Sequence, residues 1–134
     1  MNLNISIPIE AFPNVAPSVP IELTAWLAAT WPDLTVSDRL DRAAAMLHGR
    51  ILLTSMRLGP HSRGRRFRFL NFSTRPACEI RIRGGPMADT PLPVYFKRKH
   101  GIHLAESADF PAAYGVLPDG SEGHFPLELL DFVL

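Results

Sequence analysis

One stretch of the sequence decides the fold, the basic and aromatic run Arg65-Arg66-Phe67-Arg68-Phe69-Leu70-Asn71-Phe72-Ser73-Thr74-Arg75-Pro76-Ala77. Aromatic residues are enriched in strands, so the part from Arg65 to Phe72 predicts a strand. Alternate residues of a strand point to the same face, so Arg65 and Phe67 place a cation and a ring side by side. This pairing favours a surface that contacts a phosphate backbone.

A second segment, Leu92 to His100, predicts a short helix that begins after a proline and stops at a glycine. Tyr95 and Lys99 stand four residues apart, so the helix brings a hydroxyl and an ammonium group to one face. His100 adds an imidazole at the end of the helix. Each of these groups can donate to a different oxygen of one phosphate. The alternative interpretation is that Tyr95 packs in the core and the basic residues 97–99 are solvated.

The composition indicates one globular domain. The 134 residues are 46% hydrophobic and 20% charged, which excludes a charged disordered tail, and no apolar run is long enough to span a bilayer. Thirteen prolines argue against a helical bundle or a coiled coil. The lone cysteine, Cys78, cannot form an internal disulfide, and the N-terminus does not resemble a signal peptide, so a cytoplasmic location is expected.

The net charge of +1 conceals a strong segregation of charge along the chain. Residues 49–103 carry twelve Lys and Arg against two acidic residues, whereas residues 104–134 carry six acidic residues and no Lys or Arg. A central basic block interleaved with aromatic residues is typical of a surface that binds nucleic acid. The alternative is a solubilising face that the acidic flanks balance in three dimensions.

The remaining pattern predicts several short strands and two N-terminal helices. The alternation from Leu3 to Ile9 predicts an edge strand, and the helices are expected from Ile21 to Trp31 and from about Thr35 to His48. Trp26 and Trp31, five residues apart on the first helix, are expected to be core or interface anchors and not surfaces on which bases stack. Further strands are predicted at 51–54, 78–83, from 102, at 112–116 and within 124–133. In 78–83 Glu79, Arg81 and Arg83 alternate with Ile80 and Ile82, which predicts a strand with one cationic face. These elements predict a mixed, mainly β fold: a small barrel with two helices packed at one end.

Catalytic and metal-binding motifs are missing from the sequence. It contains no nucleophile elbow, no HExxH, no P-loop and no GxGxxG, so no enzymatic activity and no cofactor are expected. Only His100 and His103 form a close histidine pair, and a helix end followed by a strand does not make them converge on a metal. A binding module is therefore favoured over an enzyme.

Three blocks follow one another along the chain: the run 65–77, the segment Val94-Tyr95-Phe96-Lys97-Arg98-Lys99-His100-Gly101-Ile102-His103-Leu104, and the segment His124-Phe125-Pro126-Leu127-Glu128-Leu129-Leu130. In this order and spacing they resemble the PAZ domain of Argonaute proteins. The opening, Leu3 to Ser6, is similar to the linker strand that precedes this domain. The resemblance covers essentially the whole chain, and a Dicer-type PAZ domain is the nearest alternative.

This resemblance implies an OB-like small β-barrel with an inserted strand-helix appendage. It implies one PAZ-like domain over 1–134, with a linker strand and loop at 1–18, a helical segment at 19–48, and a barrel at 49–134 whose appendage lies around 79–101. Between barrel and appendage such a domain holds the 3′ end of a small RNA, single-stranded or the overhang of a duplex, without reading its sequence. The resemblance also implies a role in RNA silencing, with the other domains of a parent Argonaute as protein partners. It implies no membrane partner. The residues that match pocket positions are Arg65, Phe67, Tyr95, Lys99, His100 and His124.

The match departs from the family at several pocket positions. Phe67, His100 and His124 stand where the family usually has tyrosines, so phenolic donors are lost. Ile82 stands at or near the position of a stacking aromatic residue. Ser55 stands near the position of a histidine, and His61 is a candidate replacement for that histidine.

Two hypotheses about function therefore remain open. One is a module that binds an RNA 3′ end, and the other is a PAZ-like domain with a weakened pocket that serves as a structural or interaction module.

Overall fold

The computed structural model describes residues 20–104 and 107–133, with the side chain of Ser107 excepted. The predicted strand from Leu3 to Ile9 lies outside these residues. Within them the chain forms three α-helices and six strands, so the mixed, mainly β fold class is confirmed. In chain order the elements are β1 (Pro20–Glu22), α1 (Leu23–Thr30), α2 (Val36–Leu47), β2 (Ile51–Thr54), β3 (Arg66–Pro76), α3 (Leu92–His100), β4 (Pro111–Val116), β5 (Glu122–Phe125) and β6 (Leu130–Val133).

The six strands form one antiparallel sheet in the order β1-β6-β2-β3-β4-β5. The long strand β3 is central, because its first three residues pair with β2 and its residues from Arg68 to Pro76 pair with β4. The pairing with β4 shifts register between Phe69 and Asn71 and again between Phe72 and Pro76. Such irregularities bend a strand and increase its twist, which suits a small curved sheet.

The main hydrophobic core lies between the sheet and the two N-terminal helices. Trp26 of α1 is fully buried and stacks on Phe132 of β6, with ring centroids 4.5 Å apart and planes 6° apart. Trp31 meets Trp26 edge-on at 5.6 Å. Burying aromatic rings of this size is a large part of the hydrophobic stabilisation of a small domain. The prediction that Trp26 is a core residue is confirmed.

A second, smaller core holds the appendage, which is the segment 77–101 between β3 and β4. Leu92 and Phe96, one helical turn apart, form the buried face of α3. They pack with Leu58, Leu104 and Leu129 from outside the appendage. Gly101 ends the helix in the left-handed conformation at φ 68°, and its N–H donates to Lys97 O at 3.0 Å. This packing fixes α3 against the sheet.

Residues 78–83 do not form the predicted strand. A 3-10 helix occupies Ala77–Glu79, and only one isolated bridge follows, between Arg81 and Pro91. Two hydrogen bonds flank this bridge, from the N–H of Ile82 to Thr90 O at 2.8 Å and from the N–H of Leu92 to Ile80 O at 2.9 Å. The pairing extends no further because the 3-10 helix precedes it, α3 begins at Leu92, and Gly84 and Gly85 turn the chain at positive φ. The predicted alternation survives without it: Arg81 and Arg83 are exposed, whereas Ile80 and Ile82 are half-buried.

Three other boundaries also differ from the prediction. The first helix begins at Leu23, because the preceding residues Pro20–Glu22 pair with β6. Residues 102–104 form no strand; the N–H of Ile102 instead donates to Phe96 O at 3.2 Å and completes the end of α3. The run 124–133 is two strands separated by a 3-10 helix at Leu127–Leu129. Among the described residues no helix is long and apolar enough to cross a membrane.

Candidate functional site

A cleft of about 340 Å³ lies where the appendage faces β4 and β5. We call it the first cleft. Five of the six predicted pocket residues line it, although they come from different parts of the chain. They are Arg65, which precedes β3, Tyr95, Lys99 and His100 of α3, and His124 of β5.

The sixth residue, Phe67, does not line the first cleft. Its side chain is fully buried, and its ring meets that of Phe125 edge-on at 5.3 Å. On β3 the buried positions are Phe67 and Phe69, and their neighbours Arg66 and Arg68 are exposed. Phe67 therefore supports Phe125, which does line the cleft, and the expectation that Phe67 contacts a ligand is not supported by this geometry.

His100 is held as a neutral hydrogen-bond donor. Its Nδ1 accepts the backbone N–H of Gly59 at 3.2 Å, so in the neutral ring the proton is on Nε2. The ring stacks on Phe96, with centroids 5.7 Å apart. Burial, followed by the charge of Lys99, lowers the pKa of His100 below the usual 6.5. The Nε2–H is thus available to a ligand oxygen at neutral pH.

Tyr95 and Lys99 form the predicted pair on one face of α3. The Nζ of Lys99 lies 5.4 Å from the centroid of the Tyr95 ring, within the range of a cation–π contact. Tyr95 is half-buried and Lys99 is exposed. Lys97 and Arg98 are also exposed and do not line the first cleft. The alternative interpretation, in which the basic run is solvated surface, therefore holds for these two residues, whereas Lys99 lines the cleft.

The opposite wall of the first cleft carries a pair of rings. Tyr114 of β4 is directly opposite His124 in the ladder with β5, and their ring centroids are 4.9 Å apart. Burial, followed by the charge of Arg83, lowers the pKa of His124. Tyr114 is not among the residues that the sequence predicted for the pocket. Tyr114 lies in the run 112–116, between the small residues Ala113 and Gly115. Because neighbouring residues of a strand point to opposite faces, this pattern could have indicated that the Tyr114 ring lies on the face opposite to these two small residues.

The lining of the first cleft is predominantly positive. Arg65, Arg81, Arg83 and Lys99 contribute four cations, against the single carboxylate of Glu122. Arg81 and Arg83 belong to the predicted cationic face of 78–83, which reaches the cleft even though the strand is missing. Together with the phenol of Tyr95 and the neutral imidazole of His100, these groups can donate several charge-assisted and neutral hydrogen bonds to one phosphate.

The other departures from the family affect one residue that lies outside the cleft, Ser55, and one that lines it with an apolar side chain, Ile82. Ser55 is buried, and its Oγ accepts the N–H of Arg57 at 3.1 Å. His61 is exposed and does not line the cleft, so it does not replace the missing histidine. Ile82 does line the cleft as an apolar side chain. Within 20–104 and 107–133 no three His, Cys, Asp or Glu side chains are grouped to hold a metal ion.

The sequence matches no protein-family model and no curated protein. Solved structures do match the fold. The PAZ domain of Drosophila Argonaute2, described for its structure and nucleic-acid binding, has a TM-score of 0.56 at 14% identity and covers 74% of this chain and 81% of its own. Dicer from Giardia intestinalis has a TM-score of 0.55 at 21% identity over 90% of this chain, which spans 18% of that Dicer. The chain therefore has a PAZ-like fold.

Proposed function

We propose that this chain is a module that holds the 3′ end of a small single-stranded RNA, or of a duplex with a 3′ overhang, without reading its base sequence. The observation that carries the proposal is the convergence of Arg65, Tyr95, Lys99, His100 and His124 on one positive cleft. The nucleic-acid binding described for the similar Drosophila Argonaute2 PAZ domain supports it.

The chemistry of the first cleft suits a phosphodiester and a ribose better than a base edge. Arg65 and Lys99 supply charge that approaches a phosphate from two different elements. Tyr95 and the Nε2 of His100 supply neutral donors for the remaining oxygens. The apolar and aromatic lining, which includes Ile82 and Phe125, can contact any base, so we expect little sequence preference.

The proposal places the chain in a larger protein of RNA silencing. We infer an Argonaute-type parent from the sequence blocks, with its other domains as partners, and a Dicer-type parent is the alternative. The role is binding, and no catalytic step is assigned to this domain. The cytoplasmic location expected from the sequence stays a prediction.

The test is a titration of a labelled short RNA that has a free 3′ end. The same RNA with a blocked 3′ end and a circular RNA of the same composition serve as controls. We expect the free end to bind more tightly than either control, and two free-ended RNAs of different sequence to bind alike. Equal affinity for the circular RNA would leave only a general basic surface. The absence of RNA binding by the folded chain would favour the structural or interaction module.

A further inference from the structure

A groove of about 450 Å³ lies between helix α2 and residues 71–73 of β3. We call it the α2 groove. Residues 109–111, where β4 begins, complete its lining, and it shares no lining residue with the first cleft. The proposed function therefore makes no use of this groove.

One stripe of α2 forms an apolar wall of the α2 groove. Val36, Leu40 and Ala44 are four residues apart, so they follow one another along a single face of the helix. Leu40 is buried in the main core, whereas Val36 and Ala44 are half-buried. Phe72 and Phe110 also line the groove, and both are only partly buried against the same core. The α2 groove therefore leaves part of the edge of this core accessible to an apolar side chain.

The charged residues of the α2 groove are both acidic. Asp41 of α2 and Asp109, which precedes β4, line it, and among the described residues no Lys or Arg does. Both carboxylates are exposed, and within 20–104 and 107–133 neither forms an ion pair. In the first cleft, by contrast, four cations face one carboxylate. A nucleic-acid backbone is therefore attracted to the first cleft and repelled by the α2 groove.

The same charges decide between the other occupants of the α2 groove. Residues 1–19 of this chain contain Glu10 and no Lys or Arg, so they offer no cation to the two aspartates. A symmetric contact between two copies of the chain would bring the carboxylates of both grooves together, and like charges oppose such an interface. The groove instead suits an apolar side chain with cations beside it.

We propose that the α2 groove docks a short segment of a partner protein, in which one large apolar side chain has a Lys or Arg on either side. The apolar side chain enters between the α2 stripe and the rings of Phe72 and Phe110, and it removes their accessible parts from water. The two basic side chains pair with Asp41 and Asp109. Because the α2 groove and the first cleft share no lining residue, the chain can hold this partner and an RNA at the same time.

The experiment selects heptapeptides from a random displayed library on the full chain. We expect the enriched peptides to carry an aromatic or large aliphatic residue flanked by Lys or Arg. The Kd of a fluorescently labelled enriched peptide is then measured for the wild type and for variants of the groove. The absence of enrichment, or enriched peptides without basic residues, would overturn the proposal.

Two kinds of variant test the groove. Asp41→Asn and Asp109→Asn should each weaken peptide binding about twofold to fivefold, the range of an exposed ion pair. Asp33→Asn is the matched control, because Asp33 is exposed and lies outside the groove. Ala44→Phe should abolish binding, because its ring occupies the space of the apolar side chain. If all three aspartate variants bind alike, or if Ala44→Phe binds as the wild type does, the peptide is not held in the α2 groove.

RNA affinity separates this proposal from the proposed function. Ala44→Phe should bind a free-ended RNA as the wild type does, and a parallel loss of RNA binding would assign the groove to the nucleic acid instead. A wild type that forms dimers, which Ala44→Phe dissociates, would assign the groove to a second copy. If the free 3′ end gives no advantage while the peptide results hold, only the proposed function fails. Melting temperatures show whether each variant folds, and the aspartate variants decide the question even if Ala44→Phe is destabilised.

Discussion

At the scale of single residues, some side chains of the first cleft contribute positive charge and others contribute a hydrogen-bond donor in a fixed direction. Lys99 is exposed, and its ammonium group lies over the Tyr95 ring. His100 is fixed from behind by Gly59 and contributes a directed donor instead of a charge. Arg65 lines the cleft from the start of β3, whereas Lys99 and His100 line it from α3. Under the proposed function, a phosphate between them would be contacted from two different elements.

The first prediction concerns the two cations. Lys99→Ala and Arg65→Ala should each weaken binding of a free-ended RNA by about 1 to 3 kcal/mol, because each removes a charge-assisted contact. Arg57→Ala is the control, since Arg57 lies outside the first cleft and pairs with Glu128 at 3.2 Å. Titration and thermal melting of all three variants check this. Three equal affinities, or pocket variants that no longer fold, would show that the pocket is placed wrongly.

Sequence reasoning at this scale works for residues on regular elements and fails where packing decides. The spacing of Tyr95 and Lys99 is enough to place both on one face of α3. The alternation places Arg65 and Phe67 on one face but does not show how deeply each is buried. Arg65 lies just before β3, where its carbonyl oxygen accepts the N–H of Thr54 at 2.8 Å, and it is half-buried, whereas Phe67 is fully buried. Tyr114 lines the cleft because it pairs with His124 across β4 and β5. The sequence alone does not specify which strands pair.

At the scale of elements, local signals set the boundaries that the sequence predicted well. β2 and α3 begin and end at the predicted residues, and Thr35 caps α2 by accepting the N–H of Asp38 at 3.1 Å. These boundaries depend on a cap, a proline or a glycine, which act within a few residues. The segments 78–83 and 102–104 were predicted wrongly because their alternation reflects burial against the appendage core. The first segment forms only the isolated bridge between Arg81 and Pro91, and residues 102–104 belong to no strand.

The second prediction tests the sheet that carries the cleft wall. Gly115 of β4 has no room for a side chain, because a Cβ there would overlap the backbone carbonyl oxygen of Arg68 and would lie 2.6 Å from Cζ of Phe67. Gly115→Ala should therefore destabilise the protein by about 1 to 3 kcal/mol, the usual cost of overpacking a core. Gly123→Ala is a matched control on the paired position of β5, where a Cβ meets nothing within 4 Å.

Chemical denaturation of both glycine variants measures the free energy of unfolding. Gly123→Ala should stay close to the wild type, and Gly115→Ala should unfold at a lower denaturant concentration. Equal stabilities would mean that both the β3 backbone at Arg68 and the ring of Phe67 can move aside without cost, and that the core behind Phe125 is looser than its burial indicates.

At the scale of the whole molecule, the appendage and the sheet meet to create the site, and each has its own core. The larger core fixes the sheet under the N-terminal helices, and the smaller one fixes α3 at the other end. Because the cleft lies between these two packed units, its walls are set by tertiary packing. The resemblance to a known domain predicted this arrangement, whereas periodicity alone predicted only a small barrel.

The last prediction is that RNA affinity depends on pH. In the free protein burial is the main cause that lowers the pKa of His124, and Arg83 adds to it. A bound phosphate stabilises the imidazolium and raises that pKa in the complex. The complex then binds a proton that the free protein does not, so affinity increases as the pH falls from the pKa in the complex to the pKa of the free protein. Because the pKa of the free protein lies below about 6.5, this increase extends to mildly acidic pH.

His124 should carry more of this effect than His100. Protonation of His100 at Nδ1 would break the hydrogen bond from Gly59, and this loss opposes formation of the His100 imidazolium even in the complex.

The measurement is the Kd at fixed salt for the wild type, His124→Tyr and His61→Tyr. It covers about pH 5.5 to pH 8, a range that spans the titration of imidazole. His61 is exposed and outside the first cleft, so His61→Tyr should keep the wild-type profile. His124→Tyr should bind at least as tightly at the alkaline end, since a phenol still donates, and its profile should be flatter. An unchanged slope in His124→Tyr would place this ring away from the phosphate, and Arg65, Tyr95 and Lys99 would remain as its ligands.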